Sequence, residues 1–213
     1  MPLTNYGEQQ MLQALFGAVT SGIPTSSSGY YLGLIKAKGT WAATTAYASA
    51  DLIIPTTFSS GGNLNRMFRC TTAGTSGSSE PAWTGVASGG TISDGTVVWT
   101  EVTTQFYTAA NIQTYEVSGG GYARRLLANA QGSTQWVAPS LPSTSPASSN
   151  WGSTVSFPAS TASQGYICGF FLADASTTGN TYAWNTLSNF VPILASGMTL
   201  TLPSSTGVTV TLA

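Results

Sequence analysis

The run YEVSGGGYARR at residues 115–125 sets the first limit on this fold. Tyr115 and Val117 give a strand-like lead into three consecutive glycines, Gly119, Gly120 and Gly121. Tyr122 and the adjacent Arg124 and Arg125 follow. Without a Cβ, such glycines admit positive φ or the close approach of another segment, at an entropic cost. The run lacks both the G-x-G-x-x-G spacing and the Gly-Lys-Ser/Thr ending of a phosphate loop. A bulge or tight turn between two strands is therefore the reading it supports. In a strand, Arg124 and Arg125 alternate to opposite faces. One can pair internally with Glu116 or Glu101, and the other can reach a partner's carboxylate in the bidentate geometry that Arg favours.

That pair is a third of all the positive charge, because the 213-residue chain has only six Lys or Arg. Charged residues make up 6%, against about 25% in an average soluble domain. Hydrophobic residues make up 42%, enough for a core. A monomer with so little charge has little to keep it soluble, so much of its surface is expected to be covered by other subunits. The net charge of −1 argues against nucleic acid or an anionic membrane as partner. No apolar run reaches the roughly 18 residues of a membrane span. The start, MPLTNYGEQQ, has no basic region followed by an apolar one, so no signal peptide is expected and assembly in a host cytoplasm is.

Chemistry is poorly provided for. There is no histidine, which removes the commonest general base and metal ligand. The seven acids, Glu8, Asp51, Glu80, Asp94, Glu101, Glu116 and Asp174, are scattered. Asp94 opens a D-G turn and Asp174 another, where an Asp side chain stabilises the bend. Lys36 and Lys38 have no serine nucleophile beside them. Cys70 and Cys168 stand far apart in strand-like contexts, which reads as buried thiols, with a disulfide left open. No catalytic, cofactor-binding or metal-ligating residue is expected, and no cofactor.

Along the chain, residues 5–16 read as one amphipathic helix with Leu12, Leu15 and Phe16 on a face. Such a helix can be a lid on the core or a plug into a neighbouring subunit. Strands are expected at 30–37, 52–54, 63–70, 96–102, 133–138, 154–157, 166–172 and 182–187. The apolar YICGFFL run at 166–172 suggests burial on both faces. Residues 198–202 and 208–212 alternate with period two and look like a closing hairpin. Residues 71–83 read as a long loop. Trp41, Trp83 and Trp99 recur in a short span, and aromatics of that size can form the core of a very small β module. Trp83, after Glu80-Pro81, is the one expected to be most exposed, where it could stack on a host sugar.

Two resemblances follow from these motifs. WAATTAYASADLIIP, MFRCTTAGTSGSSEPAW and GGTISDGTVVWTEV together resemble a small β module found inserted in phage tail and other virion proteins. NYGEQQMLQALFG, YYLGLIKA, YEVSGGGYAR, VSFPAS, GFFLADA and MTLTLPSSTGVTVTLA resemble a group of small phage virion proteins. Its members are variously tail fibre, minor tail or head decoration proteins. The resemblance implies a virion structural protein without enzymatic activity. The expectation is an all-β, jelly-roll-like β-sandwich formed by residues 1–38 and 106–213, with a short N-terminal helix. Residues 39–105 would be an inserted β module projecting as a knob. A capsid decoration or cement protein is the leading expectation, partnered by the major capsid protein and by copies of itself, preferably as a trimer. The alternative is a tail or tail-fibre-associated protein whose module meets host carbohydrate through Trp83. Candidate assembly contacts are Gly119, Gly120, Gly121, Tyr122, Arg124, Arg125, Leu12 and Phe16.

Overall fold

The computed structural model describes residues 29–58, 63, 65–104, 112–128, 135–137, 148–204 and 207–211. The helix expected at 5–16, with Leu12 and Phe16, lies outside them. What is described is all-β and sandwich-like. Its strands are β1 (Tyr30–Ala37), β2 (Gly39–Thr40), β3 (Ala46–Tyr47), β4 (Leu52–Ile54), β5 (Phe68–Thr72), β6 (Gly74–Thr75), β7 (Thr91–Asp94) and β8 (Val97–Glu101). After a short 3-10 turn at Gln113–Tyr115 come β9 (Arg125–Leu127), β10 (Ser148–Asn150) and β11 (Val155–Ser156). The chain continues with β12 (Gly165–Ala173), β13 (Thr181–Ile193), β14 (Thr201–Leu202) and β15 (Thr209–Thr211).

The central layer is a four-stranded sheet of order β13-β12-β1-β9, with β1 antiparallel to both its neighbours. Both faces of its middle strands are apolar, as the YICGFFL run implies, and each face feeds a different core. On β1, Leu32 and Leu34 join one core, whereas Ile35 and Ala37 join the other. On β12 the first core takes Ile167, Phe170 and Leu172, and the second takes Cys168, Phe171 and Ala173. Strict alternation would not put 167 and 170 on one face. Against β1 the register shifts where Ile35 and Lys36 face Gly169 and Ile167, and the one extra residue on β12 switches the faces.

The first core is closed by two-stranded pairs, β10 with β15 and β11 with β14, which contribute Trp151, Val155, Leu202 and Val208. This corrects the closing hairpin. Residues 201–202 and 209–211 do form strands, but each pairs with a different, earlier strand. Period two marks a half-buried strand and says nothing of its partner. The separate pairings let Leu202 and Val208 both bury against the central sheet.

The second core is closed by a five-stranded sheet, β2-β4-β5-β8-β7. On β4, Leu52 and Ile54 face the central sheet, while Ile53 faces away. Ile53 belongs to a third core with Trp41, Tyr47, Phe68, Cys70, Trp83, Val97 and Trp99. The order is thus strand pairs, central sheet and five-stranded sheet, with apolar side chains between and an aromatic cluster outside the last. Sheets stacked face to face with interdigitated side chains are the sandwich solution for all-β chains.

Candidate functional site

The lead into the glycine run is not a strand. Residues 113–115 turn as a 3-10 helix, and Glu116 makes an isolated bridge to Ile35. Gly119, Gly120 and Gly121 then take φ of 73°, 56° and 73°, a region that L side chains enter at a cost. The turn closes on itself, with the Tyr122 N–H donating to the Gly119 carbonyl at 3.0 Å. It also lies against residues 159–164. The Gly120 carbonyl accepts from the Thr161 N–H and from Gln164 Nε2, both at 2.9 Å. A Cβ at Gly120 would stand 3.0 Å from the Ala162 carbonyl oxygen. This is the tight turn that the glycines imply.

The turn delivers Tyr122 and Arg124 to one half-buried carboxylate, that of Glu116. Arg124 donates through Nε to Glu116 Oε1 and through Nη2 to Oε2, both at 2.7 Å. Its Nη1 donates to the carbonyls of Ala175 and Thr178 at 2.6 and 2.7 Å, tying down the β12–β13 turn. The guanidinium lies 4.9 Å from the Phe171 ring centroid. The Tyr122 hydroxyl donates to Glu116 Oε1 at 2.8 Å and accepts from the Leu34 N–H at 2.9 Å. Burial, and then the Glu116 carboxylate, push the Tyr122 hydroxyl well above the usual tyrosine range. Arg124 and Tyr122 thus face inward, on the internal partner Glu116. Arg125 is exposed on β9, at one end of the central sheet, beside Leu126, which is 48% exposed.

Trp83 is corrected. It is 1% exposed, with its ring tilted against Phe68 at 4.3 Å between centroids and 6.3 Å from Trp99. Glu80 Oε1 accepts its indole N–H at 2.8 Å, so the preceding acid turns the ring inward and satisfies its donor. No face of Trp83 is offered to a sugar. The sequence reading missed the centre of this cluster, Asp94. It is buried, and its Oδ2 accepts from Trp41 Nε1 at 2.7 Å and Trp99 Nε1 at 2.9 Å. Its Oδ1 accepts from the Gly77 N–H at 2.7 Å. The D-G turn was legible, but its link to Trp99 and to the distant Trp41 was not.

The other described carboxylates are engaged in the same way. Asp51 pairs with Lys38 at 2.6 Å, Glu101 accepts from Thr103, and Asp174 accepts from the Asn180 N–H and side-chain amide at 2.8 Å. Cys70 and Cys168 are free and buried, and burial pushes both thiols up. Among the described residues no group of three His, Cys, Asp or Glu could hold a metal. Among them also, no helix is long and apolar enough to cross a membrane.

Fold and side chains together define an all-β protein whose buried polar groups hold its own layers in place. A family model described as podophage GP4 fiber I protein gp80 matches residues 83–207, more than half of the chain, and the chain belongs to that family. It is accordingly a phage structural protein of fibre-like class and a virion component. No curated protein matches it.

Proposed function

We propose that the chain is a non-enzymatic subunit of a phage fibre or of the tail structure that carries it, associating with copies of itself. The fibre description of its family carries this reading. Two features support it. Six of the seven acids are engaged in hydrogen bonds within the fold, which leaves them without an evident chemical task. The exterior is poor in charge, which suits a surface buried by association. In this reading residues 39–105 are a unit inserted into a jelly-roll-like body, and Arg125 with Leu126 at the sheet edge contacts a neighbouring subunit. A short edge strand with exposed backbone groups is open to such pairing.

The test is copy number and position in purified particles. Quantitative mass spectrometry is expected to give a handful of copies per particle, with gold label at the tail. Hundreds of copies and label over the head would replace this reading with a head decoration protein bound to the major capsid protein as a trimer. Light scattering of the purified chain is expected to give a homo-oligomer.

A further inference from the structure

The layer that closes the first core is short of strands. Its two pairs, β10 with β15 and β11 with β14, are successive parts of one antiparallel ribbon. Between them the Trp151 N–H donates to the Val208 carbonyl, and beyond them the Phe157 N–H donates to the Leu200 carbonyl, both at 2.9 Å. Burial along the ribbon alternates. Val155, Phe157, Leu200 and Leu202 are buried, while Thr154, Ser156, Thr199 and Thr201 are exposed. The central sheet has five strands over its other face and only this two-stranded ribbon here.

One edge of the ribbon is taken near Trp151. There the Val137 N–H donates to the Asn150 carbonyl and the Gly152 N–H to the Gln135 carbonyl. The β14 edge has no strand beside it among the described residues. The bond from Phe157 to Leu200 fixes which way its backbone points. Bonded and non-bonded backbone pairs alternate in an antiparallel ladder, so Ser156 and Thr201 are a non-bonded pair. Their hydroxyls, 3.3 Å apart, agree with that. The N–H and C=O of Thr201 therefore point out to the edge, as do those of Thr199 two residues back.

No charge guards this edge. Exposed edges are usually blunted by charged side chains, Lys above all, but residues 148–163 and 194–211 carry none. The long end strand β13 shows the contrast. Asn65 reaches over it, donating through Nδ2 to the Ser188 carbonyl and accepting the Phe190 N–H on Oδ1 at 3.0 Å. Leu194 and Met198, 50% and 37% exposed, stand just before Thr199. The segment is also held ready. Buried Ser160 donates its N–H to the Met198 carbonyl at 2.8 Å and its hydroxyl to the Ala195 carbonyl at 2.6 Å, and its carbonyl accepts the Gly197 N–H at 2.7 Å. Such preorganisation lowers the ordering cost of association.

We infer that residues 199–202 pair with the same segment of a second copy, antiparallel about a two-fold axis at Leu200. This rests on the self-association proposed above and gives it a surface. The register sets Thr199 against Thr201 of the second copy, and the reverse, so each outward N–H meets an outward carbonyl. It also sets Met198 against Leu202 of the second copy, which covers the exposed methionine. An edge without charge gives a charged partner nothing to pair with, whereas two copies of it meet without repulsion. The contact is self-complementary, as a two-fold interface requires, and Pro203 ends it.

Sedimentation velocity of the full chain over a concentration series, with hydrogen exchange read at residues 199–202, tests the pairing. The chain is expected to form a pair, alone or within an even-numbered assembly, and the Thr201 amide to become protected as it forms. Thr201→Pro removes the outward N–H and no backbone bond of the ribbon, a place where an edge strand tolerates proline. It should weaken association at least tenfold, the scale of two lost hydrogen bonds, with the circular dichroism spectrum unchanged. Thr199→Lys combined with Thr201→Lys sets like charges face to face at exposed positions and should weaken it further, and it decides the matter if proline disturbs the fold. An oligomer unchanged in both variants overturns the pairing and leaves self-association standing through another face, such as Arg125 and Leu126. Equally fast exchange of residues 199–202 at every concentration overturns it too. A chain monomeric throughout overturns the pairing and the self-association together, while copy number and label position in particles still decide the fibre reading.

Discussion

At the scale of residues, the fold is held by a few buried polar groups that gather distant segments. Asp94 is the clearest case, with two indoles and one backbone N–H on a single carboxylate. Each buried donor left without a partner costs about 1–3 kcal/mol. Asp94→Ala orphans three, so a loss on the order of 3 kcal/mol or more is expected. Urea unfolding followed by tryptophan fluorescence checks it, and a loss under about 1 kcal/mol would show that water replaces the carboxylate. A second residue-scale effect appears at high pH. Tyr30, Tyr47, Tyr115 and Tyr122, with Cys70 and Cys168, all have pKa values raised in the fold, chiefly by burial. Unfolded cysteine titrates near about 8.5 and tyrosine near about 10. Above those values the unfolded chain releases protons that the folded chain keeps. The stability these groups contribute is therefore full below about pH 8.5 and falls as pH rises through 10 and beyond. Urea midpoints at pH 7 and pH 10.5 are expected to show the decline, and equal midpoints would contradict it.

At the scale of elements, the glycine run yields a comparison between neighbours. Gly119 and Gly120 both have positive φ, but a Cβ on Gly119 meets nothing, while one on Gly120 meets the Ala162 carbonyl oxygen at 3.0 Å and Gln164 Cγ at 3.1 Å. Gly119→Ala should cost only the left-handed backbone penalty, roughly 1–2 kcal/mol. Gly120→Ala should cost that and the contact of the turn with residues 161–164. Equal melting temperatures for the two variants would show that the turn does not press on that segment. This turn was legible in the sequence because glycine runs announce backbone freedom directly. The strands at 30–37 and 52–54 were legible too, since turn signals bound them on both sides. Pairing was not, as the separate partners of β14 and β15 show. Nor was the length of β13, which runs on through Ser188, Asn189 and Pro192 because an end strand tolerates polar residues and proline. The direction of Trp83 was misread for a similar reason: a Gly- and Ser-rich loop looks solvated, and only Glu80 on its indole reveals that the ring turns inward. Lys36 and Lys38 were visible as a pair. The hollow they line also takes Ala50, Tyr115 and Gln164, brought there by packing that no local pattern encodes.

At the scale of the whole molecule, the question is whether residues 39–105 behave as a separate knob. Their outer aromatic cluster is self-contained, but their inner face is not. Leu52, Ile54, Met67 and Val102 share one core with Ile35, Cys168 and Phe171 of the central sheet. Met67 is fully buried there. Separation would expose this whole face to water, so the two sheets should unfold together. Hydrogen exchange followed by mass spectrometry is expected to give β4, β8, β1 and β12 the same opening free energy. Met67→Ala, a buried truncation that typically costs about 2–5 kcal/mol, should lower protection in β12 as much as in β4. Loss of protection confined to residues 39–104 would mean that the outer cluster folds by itself and the shared core adds little.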